Sequence, residues 1–270
     1  MRTTGLLLAF LALITVGALG QTPPTRWRSG GGTVSPKGGS SATAYMDPAP
    51  AILPPPVTSA PYSGEEIVES TETLGDGTHI TRNTPGLRVY RDSLGRTRVE
   101  RPILRASPLM PAVDLPPIVE ITDPAAGVLY VLDVQHRVAY RSMFQTQRPP
   151  ERNAVSASRG RPMAPLPQGT EPLGTQTIDG VVVEGIRTTQ TIAGAAQGLD
   201  HPVVVTTETW TSPELRVTLL RKTTDPRTGE SVFRIRNFTR AEPDGALFLP
   251  PAGYEIREQP GPFSITYTKQ

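Results

Sequence analysis

Short runs of alternating apolar and polar residues, each closed by a turn signal, recur from residue 62 to residue 257 and predict strands throughout. "EEIVESTETL" and "THITRN" flank Gly75, Asp76 and Gly77, which tolerate the positive φ that a hairpin turn needs. "LRVYRDSLGRTRVER" predicts a second hairpin around Asp92, Ser93, Leu94 and Gly95. "IVEITD", "GVLYVLDV" and "RVAYRSMF" follow; Val128, Tyr130, Leu132 and Val134 fall on one face of the middle run, and Val138, Tyr140, Ser142 and Phe144 on one face of the third. In the second half "LGTQTIDGVVVEGIRTTQTI" pivots on Asp179 and Gly180, and "PVVVTTETWTS", "ELRVTLLRKTTD" and "ESVFRIRNFTR" continue the pattern. In the last of these, Phe233 and Ile235 point one way and Arg234 and Arg236 the other, which predicts one buried face and one wet face.

No run has the spacing of a long amphipathic helix. The best helical candidate after the N-terminus is one turn at 242–247 in "RAEPDGALFLPPAGYEI", where Pro243 suits a first helical position and Asp244 the first turn. That knot is expected to drop Leu247 and Phe248 onto the sheet before Pro250 and Pro251 stop it and Tyr254, Glu255 and Ile256 run back as an edge strand. The fold class is therefore mostly β with little helix: a large, curved, half-barrel-like antiparallel sheet of roughly ten or more strands. A two-layer β-sandwich is the alternative, because a sheet that size must curl, split or close.

Three segments depart from the strand pattern. Residues 1–20 read as a signal peptide, with Arg2, the run "LLLAFLALITVGAL" and a small-residue site before Gln21. Residues 21–61 hold nine prolines and "SGGGTVSPKGGSSA", and read as a disordered tether. A single β domain spans 62–257, with a proline- and arginine-rich disordered insertion at about 145–170, and 258–270 reads as a C-terminal tail.

Composition narrows the function classes. The chain has no cysteine, which excludes disulfides, thiolate nucleophiles and cysteine metal sites. Removing residues 1–20 leaves 27 − 1 = 26 basic against 25 acidic residues, a balance that argues against a nucleic-acid binder. There is no G-x-S-x-G elbow, H-E-x-x-H pair or phosphate-binding loop, and His79, His136 and His201 lie in or beside turns without metal-ligand spacing. No catalytic residue, metal or cofactor is expected. Glu65, Glu66, Glu69 and Glu72 invite a hydrolase reading, which needs two carboxyl groups converging across a cleft; alternation instead puts Glu66 and Glu72 on one face and Glu65 and Glu69 on the other. Asp76, Asp92, Asp123, Asp133, Asp179 and Asp225 sit at strand ends, where aspartate caps backbone groups.

"GTQTIDGVVVEG" (174–185), "ETWTSPEL" (208–215), "DPRTGE" (225–230) and "AEPDGALFLPPAGY" (241–254) resemble a family of secreted bacterial proteins and, more distantly, the periplasmic lipoprotein-carrier (LolA-like) superfamily. The resemblance implies a strongly curved, half-closed antiparallel sheet with a concave apolar cavity, in proteins that bind acyl chains or lipoproteins. No run of the sequence reads clearly as the lid helices of those carriers. The expectation is a non-enzymatic secreted or periplasmic carrier or sensor, whose partner is a lipid or an envelope protein. Its candidate ligand-binding lining is Val181, Val183, Trp210, Leu219, Phe233 and Ile235. A secreted hydrolase and an interaction module in which the same six side chains form a filled core are the alternatives.

Overall fold

A computed structural model describes residues 25–29, 33–34, 40–48, 52–103, 115–146, 169–193 and 200–269. Its first strands are Thr25–Ser29 (β1), Thr33–Val34 (β2), Ser40–Pro48 (β3), Ile52–Leu53 (β4), Tyr62–Thr73 (β5), His79–Arg91 (β6), Thr97–Arg101 (β7), Ile118–Asp123 (β8) and Val128–Asp133 (β9). There follow Val138–Met143 (β10), Gln145–Thr146 (β11), Thr170–Ile178 (β12), Val181–Ile192 (β13), Val203–Ser212 (β14), Val217–Asp225 (β15), Gly229–Thr239 (β16), Glu255–Glu258 (β17) and Phe263–Lys269 (β18). Twelve of them form one open sheet in the order β12-β13-β14-β15-β16-β5-β6-β7-β8-β9-β10-β17. It is two meanders joined where β16 pairs with β5, and every neighbouring pair is antiparallel except the last, β10 with β17.

The turns are made by the residues that favour them. Asp179 and Gly180 both take positive φ, 48° and 75°, the two-residue hairpin whose twist matches its strands. Asp92 Oδ1 accepts from the backbone N–H of Leu94 and of Arg96, and Asp123 Oδ1 from those of Ala125 and Ala126. Asp76, Asp133 and Asp225 cap their turns in the same way, through Thr78, His136 and Arg227.

Cross-strand register assigns the faces. Gly64, Val89, Val99, Glu120, Val131 and Tyr140 form one row across β5 to β10 and point the same way. On this face one apolar cluster gathers Val57, Ala60, Val181, Val183, Leu219, Phe233 and Ile235, and a second gathers Ala44, Met46, Ile118, Leu129, Val131, Ile265 and Tyr267. The opposite face carries an alternating row, Arg236, Glu65, Arg88 and Glu100, and beside it a third cluster of Val119, Ile121, Leu132, Ala139 and Phe248.

The knot near the C-terminus covers that third cluster. Its helical turn is a 3-10 turn at Gly245–Phe248, starting three residues later than the pattern suggests, because Asp244 caps it: the side chain accepts from Ala246 N–H. Glu242 holds the turn at Asp92 to Gly95, its carboxylate accepting from Ser93 N–H at 3.0 Å and also from the Ser93 hydroxyl. Arg98 donates to Leu247 C=O at 3.0 Å, and Arg96 lies 5.0 Å over the Phe248 ring.

Two segments differ from the sequence reading. Part of the supposed tether is strand: β3 pairs with β18 along its length, and Ala44 and Met46 are buried in the second cluster. The supposed tail therefore supplies the fourth strand, β18, of a small sheet with β1, β2 and β3, because Ile265 and Tyr267 alternate into the same cluster. The sheet is mixed rather than wholly antiparallel because the chain crosses it through the knot and re-enters as β17, running the same way as β10. The signal-peptide residues and 147–168 of the insertion lie outside the described residues.

Candidate functional site

The six residues expected to line a site, Val181, Val183, Trp210, Leu219, Phe233 and Ile235, come together in the first cluster. They come from four strands, β13, β14, β15 and β16, and all but Trp210 are buried. Trp210 stands in register with Gly185, where an added Cβ would lie 2.5 Å from the indole ring, so the ring occupies the space a larger residue would fill. The cluster is covered by residues 54–61, an arch whose Val57 and Ala60 pack into it. Ser59 N–H donates to Ser93 C=O at 2.8 Å, and the buried Arg91 donates to Ala60 C=O at 2.8 Å and to Leu215 C=O at 2.5 Å. Arg91 also lies 4.6 Å over the Tyr62 ring. Burial pushes the Tyr62 hydroxyl up to about 12, Glu66 adding to the rise and Arg91 opposing it. As built, the site is a closed apolar core under the arch.

Between the two apolar clusters runs a seam of charge that the strand pattern does not announce. Glu66 stands across from Ile235 on one side and Leu87 on the other. Arg221, the register partner of Phe233, lies 6.0 Å over that ring, and Arg101 lies two strands away on the opposite flank of Glu66. Beyond Arg101 is Glu120, 2% exposed, whose Oε1 accepts from Arg101 Nε at 2.8 Å. Burial raises the Glu66 carboxyl above its ordinary value, with Arg101 and then Arg221 pulling it back. Burial likewise lowers Arg221, with Glu66 opposing.

The sequence matches no protein-family model, and no curated protein matches it. Among solved structures, the chain is similar to an uncharacterized conserved protein from Thermus thermophilus, at 11% identity over 74% of this chain and 91% of that one, with a TM-score of 0.36. LprF from Mycobacterium bovis matches at 12% identity over 68% and 90%, with a TM-score of 0.25. The LolA superfamily protein NE2245 from Nitrosomonas europaea matches at 9% identity over 72% and 92%, with a TM-score of 0.26. The similarity to the LolA-like fold is distant. Among the described residues no helix is long and apolar enough to cross a membrane.

The acids of β5 do not converge. Glu69 accepts from Arg234 at 2.7 Å and from Arg236 at 3.0 Å on the wet face, Glu72 pairs with Arg82 at 3.1 Å near the strand end, and Glu66 stands on the covered face. His136 pairs with Asp133 and His79 with Thr73, and among the described residues no group of side chains has the makings of a metal site. An open polar cleft of about 520 Å³ lies elsewhere, between the hairpin tips at Thr73 and Asp225.

The titration of Glu66 is open to test. Its neutral form is favoured in the fold, so its contribution to stability is fully present below the ordinary glutamate value of 4.5 and is lost as pH rises through the raised value. Glu66→Gln is expected to melt like wild type at about pH 4 and about 2–4 °C higher at about pH 8, the shift typical of 1 kcal/mol in a domain of this size. Thermal unfolding at both pH values checks it; an offset that does not change with pH would refute the assignment.

Proposed function

We propose that the protein is a non-enzymatic carrier or sensor, exported to the periplasm or beyond, that binds an apolar ligand, a lipid or another envelope component, on the covered face of its sheet. The observation that carries the reading is the seam of Glu66, Arg221, Arg101 and Glu120 set between two apolar clusters. Charges that are buried, as Glu120 is, or half-buried, as Glu66, Arg101 and Arg221 are, are costly on a β-sheet face, and apolar side chains of similar volume would fill a purely structural core at least as stably. A face that receives an amphiphile uses both kinds of surface. The apolar body of the ligand replaces the arch 54–61 against Val181, Val183, Trp210, Leu219, Phe233 and Ile235, and its polar end meets the seam. The N-terminal segment supports export.

Native mass spectrometry of the mature protein purified from its own envelope, followed by lipid extraction, tests the proposal. A stoichiometric lipid is the expected result. A clean apo mass, together with no uptake from lipid vesicles, would overturn it in favour of an interaction module with a filled core.

A further inference from the structure

Glu120 is the only acid inside "IVEITD" before its final aspartate, and it stands in a strand whose first five residues are all buried. Its register partners on the covered face are Val99 and Val131, neither of which has a side-chain donor. One carboxylate oxygen is satisfied by Arg101; the other, Oε2, is buried and, among the described residues, meets no donor. A buried carboxylate oxygen without a hydrogen bond is rare, because its lost hydration is not replaced. An ionised carboxylate only accepts, so what Oε2 lacks is a donor.

We propose that Glu120 and Arg101 form a head-group site for the ligand of this face, and that the site selects amphiphiles whose head carries a primary ammonium. The inference rests on the binding reading above and specifies its chemistry. A primary ammonium has three N–H donors and a charge that complements the carboxylate. A trimethylated ammonium carries the same charge but no N–H, and leaves Oε2 as bare as before. The site therefore separates two head groups of equal charge on identical chains, which neither apolar cluster could do.

The mature full-length protein is incubated with vesicles of equal parts phosphatidylethanolamine and phosphatidylcholine bearing the same acyl chains, then re-isolated, and its bound lipid is identified by mass spectrometry. The ethanolamine lipid is expected to be enriched about tenfold or more over the choline lipid, the discrimination typical of a hydrogen bond to a charged group. Glu120→Gln keeps the shape and turns the position toward Oε2 into an N–H₂ donor, so the enrichment is expected to vanish while the melting temperature reports an intact fold. Equal uptake of both lipids by the wild-type protein would overturn the head-group site and leave the binding reading standing. Enrichment that survives in Glu120→Gln would also overturn the site. No lipid in either sample would overturn both.

Discussion

Arg91→Leu is expected to destabilise the fold by about 2–6 kcal/mol and to free the arch at 54–61, because each buried carbonyl that loses its donor costs about 1–3 kcal/mol. Arg91 is 2% exposed and joins parts of the chain remote in sequence: Ala60 of the arch and Leu215 of the turn between β14 and β15. Burial lowers the Arg91 pKa, so its charge has a desolvation cost that leucine would relieve. That gain opposes the loss. The loss wins because the guanidinium also rests on Tyr62 and fills the space between arch and turn, where leucine reaches neither carbonyl. Arg91→Lys should fall between the two, its single ammonium lacking the planar fork that spans both acceptors. Thermal unfolding gives the stability, and hydrogen exchange at Ser59 N–H, which donates to Ser93, reports the arch. A leucine variant with the wild-type melting curve and a protected Ser59 amide would show that the arch is held by Val57 and Ala60 alone.

The same side chain illustrates what the sequence displays and what it hides. Hairpins are legible because their cause is local: Asp179 and Gly180 supply two positive φ values within two residues, and Asp92 and Asp123 cap the turns that they begin. The alternation of Phe233 and Ile235 against Arg234 and Arg236 likewise survives folding, because strand faces alternate whatever the neighbours are. The six expected lining residues do converge. What the alternation could not reveal is that Val57 and Ala60, from a proline-rich stretch, would close over them. Strand β3 was hidden for a related reason: "SSATAYMDP" is a weak β signal, and its partner β18 lies more than 200 residues away, as Thr43 and Thr266 show with a sequence separation of 223. The seam was hidden because its members lie on four strands that only the register brings side by side. Glu120 alone left a trace, as a carboxylate enclosed by Ile118, Val119 and Ile121.

The segment that first interrupts the strand pattern carries the second large effect. Phe248→Ala is expected to cost about 3–5 kcal/mol, the range for truncating a fully buried aromatic side chain. Phe248 is 1% exposed, and packs with Val119, Ile121, Leu132 and Ala139 from three strands of the sheet. Of that cost, roughly 1.5–3 kcal/mol is the lost burial of the ring. The rest comes from the cavity that β8, β9 and β10 cannot collapse to fill, because their other face is pinned against the second cluster. Arg96, stacked over the ring, loses its platform in the same step, while Asp92 still holds its Nε at 2.6 Å. The knot should therefore loosen without the β6–β7 turn unfolding. Denaturant unfolding measures the loss, and the two sites can be separated by a double mutant: Phe248 and Arg91 lie on opposite faces and share no partner, so their effects should add to within about 0.5 kcal/mol. A Phe248→Ala variant with an unchanged midpoint would mean that the knot merely decorates the sheet, and β17 would then have to be held by its pairing with β10 alone.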